Sequence, residues 1–171
     1  MKLICFDFDK TLIHTMEPEQ GREIWLKEKG EMFPHPTGWW SKKESLDINV
    51  FYPVMNMWTH KHYLEAISDV DNYVFIATGR MEKLQNEVQA ILEFHNLAFN
   101  DVFCNWGSET FRFKTRLFEK VIRQNSKATD FILYDDRHEH LTKFAEWAIG
   151  IEKNYKIKVT IIDVVNKKQI F

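Results

Sequence analysis

The sequence predicts an α/β fold: a central, mainly parallel sheet with helices on both faces, forming a three-layer sandwich. Three observations carry this expectation. Short, predominantly apolar runs at 2–8, 73–77, 102–105 and 131–134 have the length and composition of strands buried on both faces. Segments of helical periodicity separate the later runs, as crossovers between parallel strands require. Three of the runs stop abruptly on polar chemistry, and in such sheets function collects beyond the carboxyl ends of the strands.

Taken in order, the first strand runs into Asp7-Phe8-Asp9-Lys10-Thr11. From Thr15 to about Asp71 the pattern loses its regularity and holds every proline of the chain, Pro18, Pro34, Pro36 and Pro53. A short helix is expected near 18–29, broken at Lys29-Gly30 and again at Phe33-Pro34-His35-Pro36. Gly38-Trp39-Trp40-Ser41-Lys42-Lys43 follows, a turn with two large aromatics beside two cations. We read 15–52 as a small cap-like insertion of helical and irregular structure after the first strand, within a single domain spanning 1–171. A helix at 53–69 carries Val54, Met57, Trp58, Leu64 and Ile67 as its apolar positions.

Regularity returns at residue 73. The strand at 73–77 leads at once into Thr78-Gly79-Arg80, and a helix at 81–95 places Leu84, Val88, Ile91, Leu92 and His95 on one face. After the strand at 102–105 comes a helix from about 114 to 126. The strand at 131–134 ends on Asp135-Asp136-Arg137, and a helix at 138–149 turns Leu141, Phe144, Ala145 and Ala148 inward. The segment 156–165 alternates Ile157, Val159 and Ile161 and suits an edge strand, with Asn166-Lys167-Lys168 as its terminal turn.

Composition narrows the function classes. A length of 171 residues allows a proper core plus a modest insertion, and 28% charged residues suit a soluble protein. Aromatics reach a high 15%, but part of them must pack the core, so their number alone does not mark base-stacking platforms. A net charge of −2 gives no global pull toward nucleic acid or anionic membrane, so such a partner needs a local basic patch. Cys5 and Cys104 both fall in apolar runs and imply no disulfide framework. The few apolar residues before Asp7 are too short for a signal peptide, and no run approaches a membrane span, so a cytoplasmic location without membrane contact is the expectation.

A buried strand that stops on carboxylates needs a compensating charge, because an unpaired ion at the edge of a core is costly. A metal site answers that need for Asp7 and Asp9; turn formation and capping answer it equally well. Two further strand ends add Thr78 and Arg80, and Asp135 and Asp136, to the same rim. Arg112, Arg116, Lys120, Arg123 and Lys127 recur as one helical stripe, with Lys114 roughly opposite beside Leu117, Phe118 and Val121. A lone inward cation at a sheet rim fits a catalytic role, whereas the stripe suits either a solvated face or a polyphosphate track.

Asp7-Phe8-Asp9-Lys10-Thr11, Thr78-Gly79-Arg80, Lys114 and Asp135-Asp136-Arg137, in that order, resemble the motifs of the haloacid dehalogenase-like phosphohydrolases. Gly38-Trp39-Trp40, Thr110-Phe111-Arg112-Phe113-Lys114 and Tyr134-Asp135-Asp136-Arg137-His138-Glu139-His140 are similar to the Swiss Army Knife RNA repair-like branch. The resemblance implies a Rossmann-like sandwich and Mg²⁺-dependent hydrolysis of a phosphomonoester. Asp7 would be the nucleophile and a metal ligand. Asp9 would be general acid and base, with its carbonyl on the metal. Thr78 would contact the phosphoryl group, Lys114 would neutralise charge, and Asp135 and Asp136 would complete the metal site. Gly79, Arg80, Arg137, Trp39 and Trp40 are the substrate-binding candidates, with Lys42 and Lys43 near the aromatics.

The implied substrate is a terminal phosphate of RNA or DNA, or a nucleotide. A sugar phosphatase and a non-catalytic phosphate- or nucleic-acid-binding module remain alternatives. Asp9 speaks against a dehalogenase, since carbon–halogen cleavage needs no such acid. His138 and His140 could orient substrate, bind metal or pack, and hard oxygen ligands already suffice for Mg²⁺. Packing in the core is the alternative for Trp39 and Trp40. Oligomeric state is not legible.

Overall fold

The computed structural model describes residues 1–171. Along the chain, β1 (Lys2–Phe6), β2 (Ile13–His14) and α1 (Pro18–Lys29) lead through tight turns at Trp39–Ser41 and Lys43–Leu46 to β3 (Val54–Met55) and α2 (Met57–Ile67). Then come β4 (Tyr73–Met81), α3 (Gln85–Phe94), β5 (Asp101–Asn105), α4 (Thr110–Gln124), β6 (Asp130–Asp135), α5 (His138–Tyr155), β7 (Lys158–Asp163) and β8 (Lys168–Gln169). The main sheet has the order β5-β4-β1-β6-β7-β8. It is parallel from β5 to β7, and β8 closes it antiparallel.

The reason β1 reads as an unbroken apolar run is now visible. Leu3 and Cys5 enter the core shared with α4 and α5, whereas Ile4 and Phe6 enter the core shared with α2 and α3. Both faces are covered from Leu3 to Phe6, so none of these four positions can be polar. Each large apolar side chain fully buried in this way stabilises the fold by about 1.5–3 kcal/mol. On α4 the inward residues Phe113, Leu117, Phe118, Val121 and Ile122 are buried, while Arg112, Arg116, Lys120 and Arg123 are exposed on the opposite side.

Four expectations need correction. β4 does not stop at residue 77 but continues through Thr78-Gly79-Arg80 to Met81, so this triplet is part of the strand. Pairing with β5 slips between Thr78 and Met81, a bulge that leaves Gly79 and Arg80 out of the ladder and re-aims them. α2 starts at Met57 and buries Thr59, Tyr63 and Ala66; Val54, Met57, Leu64 and Ile67 are exposed. α5 runs on to Tyr155, and β7 is an inner strand because the chain turns back through Lys167, in the left-handed region at φ 52°, to form β8.

Between β2 and β3, which pair antiparallel, the chain forms its own apolar cluster of Trp25, Phe33, Trp39 and Phe51. α1 ends on Gly30 at φ 71°, a left-handed conformation that glycine adopts without strain. Its neighbour in space, Trp39, packs so closely on Gly21 that a Cβ there would sit 2.2 Å from the Trp39 ring. No helix is long and apolar enough to cross a membrane.

Candidate active site

The carboxyl ends of β1, β4 and β6 meet the N-terminus of α4 around one cavity of about 320 Å³. Trp40 is the one apolar residue lining it; the others are Asp7, Asp9, Lys10, Gly79, Arg80, Thr110, Lys114, Asp136 and Arg137. Pockets for drug-like ligands are mostly apolar, so a lining dominated by charge suits a small ionic group.

Asp7 extends the ladder of β1 by donating its backbone N–H to Tyr134 O at 2.9 Å, which fixes its side chain at the cavity floor. Phe8 turns back into the core, so Asp7 and Asp9 emerge on the same side. Lys10 then adopts φ 59°, and Leu12 and Ile13 both donate to Phe8 O at 3.1 Å, closing a tight loop over the strand end.

Lys114 reaches this floor from the second turn of α4. Its Nζ stands 2.7 Å from Asp7 Oδ1 and 2.6 Å from Asp135 Oδ2, with 1% of its side chain exposed. Burial opposes the charged ammonium, but Asp135 and Asp7 outweigh it and hold the amine well above its ordinary value. Burial pushes the Asp7 carboxyl well up, against the pull of Lys114 and with the help of Asp135. Helix α4 is placed by Glu109, whose two carboxylate oxygens accept from Phe111 N and Arg112 N at 2.9 Å each.

The adjacent acids on β6 have different surroundings. Asp135 is fully buried, with Oδ2 on Lys114 and Oδ1 accepting from Arg137 N at 2.9 Å. Asp136 faces the cavity instead, and burial followed by the Asp135 charge pushes its carboxyl up to about 6. Asp9 is held from the other wall. Arg80 Nε and Nη2 donate to its carboxylate at 2.7–3.1 Å, and Thr15 Oγ1 donates to it at 2.8 Å.

Asp7, Asp9, Gly79, Arg80, Trp40, Lys114, Asp136 and Arg137 thus converge on the cavity, while Thr78 and Asp135 stand behind its wall. Thr78 is fully buried and its Oγ1 accepts from Arg80 N at 3.1 Å. Trp39 does not belong to the site: it is 2% exposed in the insertion's core, and its Nε1–H donates to Met16 O at 3.0 Å. His138 is exposed, and the buried His140 has Nε2 3.9 Å from Glu109.

Two lining residues, Lys10 and Thr110, had no role in the sequence reading. Thr110 lies four positions before Lys114, hence on the same helix face, and that spacing was the available signal. It also packs on Gly79, where an added Cβ would approach Thr110 Cγ2 to 3.1 Å.

The residues fit Mg²⁺. No three acidic, histidine or cysteine side chains form a closed ligand cage. Mg²⁺ rarely takes one, since it keeps several waters and uses one or two carboxylates plus substrate phosphate. Besides burial, the neighbouring Asp135 charge pushes the carboxyls of both Asp7 and Asp136 up, a crowding of acids that a divalent cation would offset. Asp7 and Asp136 face the cavity and are the side chains suited to hold it.

These features define a haloacid dehalogenase-like fold. A solved haloacid dehalogenase-like family hydrolase from Streptococcus pneumoniae is similar in fold, with a TM-score of 0.50 at 13% identity over 97% of this chain and 90% of that one. No curated protein matches the sequence. The model of HAD domain family 1 in Swiss Army Knife RNA repair proteins matches residues 22–171, and the chain belongs to that family. Asp7 and Asp9 precede the matched residues, whereas Thr78, Lys114, Asp135 and Asp136 fall within them.

Proposed function

We propose that the protein is a Mg²⁺-dependent phosphomonoesterase that acts through a phosphoryl group carried on Asp7. The observation that carries this reading is Lys114, buried between Asp7 and Asp135 at the floor of a charged cavity. Spontaneous hydrolysis of phosphate monoesters is so slow that enzymes supply up to ~10²¹-fold acceleration. A carboxylate nucleophile divides the reaction into two steps, but its charge repels the phosphate dianion. When bound, Mg²⁺ supplies charge that relieves this repulsion.

The chain's own residues do the rest. Lys114 engages Asp7 Oδ1, which leaves Oδ2 to attack phosphorus. As the bond to the leaving oxygen breaks, Asp9 gives that oxygen a proton. Asp9 then takes a proton from water as the water attacks phosphorus, which releases inorganic phosphate and regenerates Asp7. Lys10 and Arg137 line the cavity and can pair with the non-bridging oxygens. Lys114 keeps Asp7 and Asp135 from repelling one another throughout.

The substrate in this reading is a phosphate at the end of RNA or DNA, or on a nucleotide, and the family description, which names RNA repair, supports the first of these. The exposed row Arg112, Arg116 and Lys120 begins beside Thr110 and suits contact with a polynucleotide backbone. Buried free thiols at Cys5 and Cys104 suit a reducing, cytoplasmic setting. The test is a panel of 3′- and 5′-phosphorylated RNA and DNA oligonucleotides, free nucleotides and sugar phosphates, assayed with Mg²⁺ and with excess chelator. Chelator-sensitive turnover favouring oligonucleotide ends is expected. Preference for sugar phosphates would discard the nucleic-acid substrate. Oligonucleotide binding without turnover of any ester would discard the enzyme.

A further inference from the structure

Arg80 is 2% exposed, yet it reaches three separate parts of the molecule. Its Nε and Nη2 grip the Asp9 carboxylate. Its Nη1 donates to Ser45 Oγ at 2.8 Å and to Trp40 O at 3.1 Å, both in the insertion. The guanidinium lies 4.7 Å from the centre of the ring of Trp40, the one hydrophobic residue of the cavity lining. Ser45 is itself fixed, because its hydroxyl donates to Lys42 O at 2.7 Å. The bulge at the end of β4 directs this side chain across the strand ends.

A guanidinium whose N–H groups are spent on Asp9, Ser45 and Trp40 has little left for a phosphate. We infer that Arg80 is a positioning residue: it ties the insertion to the core and, through that tie, sets the orientation of the Asp9 carboxylate against the leaving group. This inference rests on the phosphatase reading of the site and assigns Arg80 away from substrate binding. It makes the insertion part of the proton-transfer apparatus as well as a cover. A planar leaving group lying against Trp40 would bear directly on the arm that holds Asp9, so leaving-group identity and proton transfer are linked through one side chain.

A residue that serves only to orient the acid has a specific kinetic signature. Protonation matters most when the departing oxygen is strongly basic. An alkyl phosphate such as a nucleoside 5′-phosphate needs the proton; p-nitrophenyl phosphate, whose phenolate leaves readily, needs it little. The bond between phosphorus and the ester oxygen breaks in both cases, and in the first the Asp9 proton ends on the alcohol. Positioned acid–base catalysis contributes about 10²–10⁴-fold, which bounds the expected loss.

The experiment compares Arg80→Gln and Ser45→Ala with the unaltered protein, using both esters and inorganic phosphate as a product inhibitor. For Arg80→Gln, kcat/KM, which reports transfer of the phosphoryl group to Asp7 and not the later attack of water, is expected to fall by about 10²-fold or more on the nucleoside phosphate. On p-nitrophenyl phosphate the loss should be no more than a few-fold, and the inhibition constant for phosphate should stay the same. Ser45→Ala, which keeps Arg80 in place and guards against misfolding of the first variant, should show the same leaving-group bias in weaker form. Equal losses on both esters with weakened phosphate inhibition would overturn the inference and return Arg80 to phosphate binding. Absence of turnover by the unaltered protein on any ester would instead remove the phosphatase reading, and the positioning role with it.

Discussion

Lys114 Nζ lies 2.7 Å from Asp7 Oδ1, a pairing that joins the end of the central strand to a helix that begins more than a hundred residues later. Both groups are almost completely buried, so neither can turn to water if the other is lost. Removing one partner of a buried ion pair typically costs about 3–5 kcal/mol, more than the pair itself contributes. Lys114→Met should therefore lower stability to urea by that amount, because Asp7 and Asp135 would be left facing each other. Arg116→Gln, two residues on but outward, should change it by no more than about 0.5 kcal/mol. Similar effects from the two substitutions would contradict the buried assignment of Lys114.

Asp136 gives a prediction for pH. Its carboxyl is held at about 6 against an ordinary 3.8, so the folded protein takes up this proton more readily than the unfolded chain. That advantage is complete below the unfolded value and is lost as pH rises through about 6. Metal-free protein should lose on the order of 2 kcal/mol over this interval, or roughly 4–8 °C in melting temperature. Mg²⁺ should restore the loss near neutral pH, since a ligand that binds only the folded state stabilises it. Thermal melts with chelator and with Mg²⁺ read both effects. Asp136→Asn should flatten the pH dependence and weaken the response to Mg²⁺.

The insertion supplies a third test, through packing alone. Gly21 lies under the Trp39 ring, where a Cβ would stand 2.2 Å from Cη2 and 2.3 Å from Cζ2. Gly21→Ala forces the indole aside in a core of only four buried residues, and overpacking of this kind costs about 1–3 kcal/mol. Tryptophan fluorescence should show the disturbance, with Trp39 losing its protected environment. An unshifted spectrum and unchanged stability would mean that Trp39 does not pack there.

Much of this arrangement was legible because it follows from local rules. The continuous hydrophobicity of β1 required two covered faces, and the alternation of Lys114 with the stripe of Arg112, Arg116 and Lys120 required that it point inward. What stayed hidden depends on contacts between distant segments. On α2 the apolar residues Met57, Leu64 and Ile67 suggested the buried face, but Tyr63 anchors the helix through a hydroxyl that donates to Ala98 O at 3.0 Å and accepts from Ala98 N at 2.8 Å. That bond rotates the stripe outward. Trp39 and Trp40 are sequence neighbours with indistinguishable chemistry, and the space above Gly21 decides which one is buried. The bonds of Arg80 to Asp9 and Ser45 could not be foreseen either, since both acceptors are more than thirty residues away.

The central claim is that Asp7 carries the phosphoryl group, and a trapped intermediate tests it most directly. Protein quenched in acid during turnover of a phosphorylated substrate should yield, by mass spectrometry, a phosphate adduct on the peptide containing Asp7. The adduct should disappear in Asp7→Asn together with turnover. Full activity of Asp7→Asn, or an adduct carried on another peptide, would contradict the account.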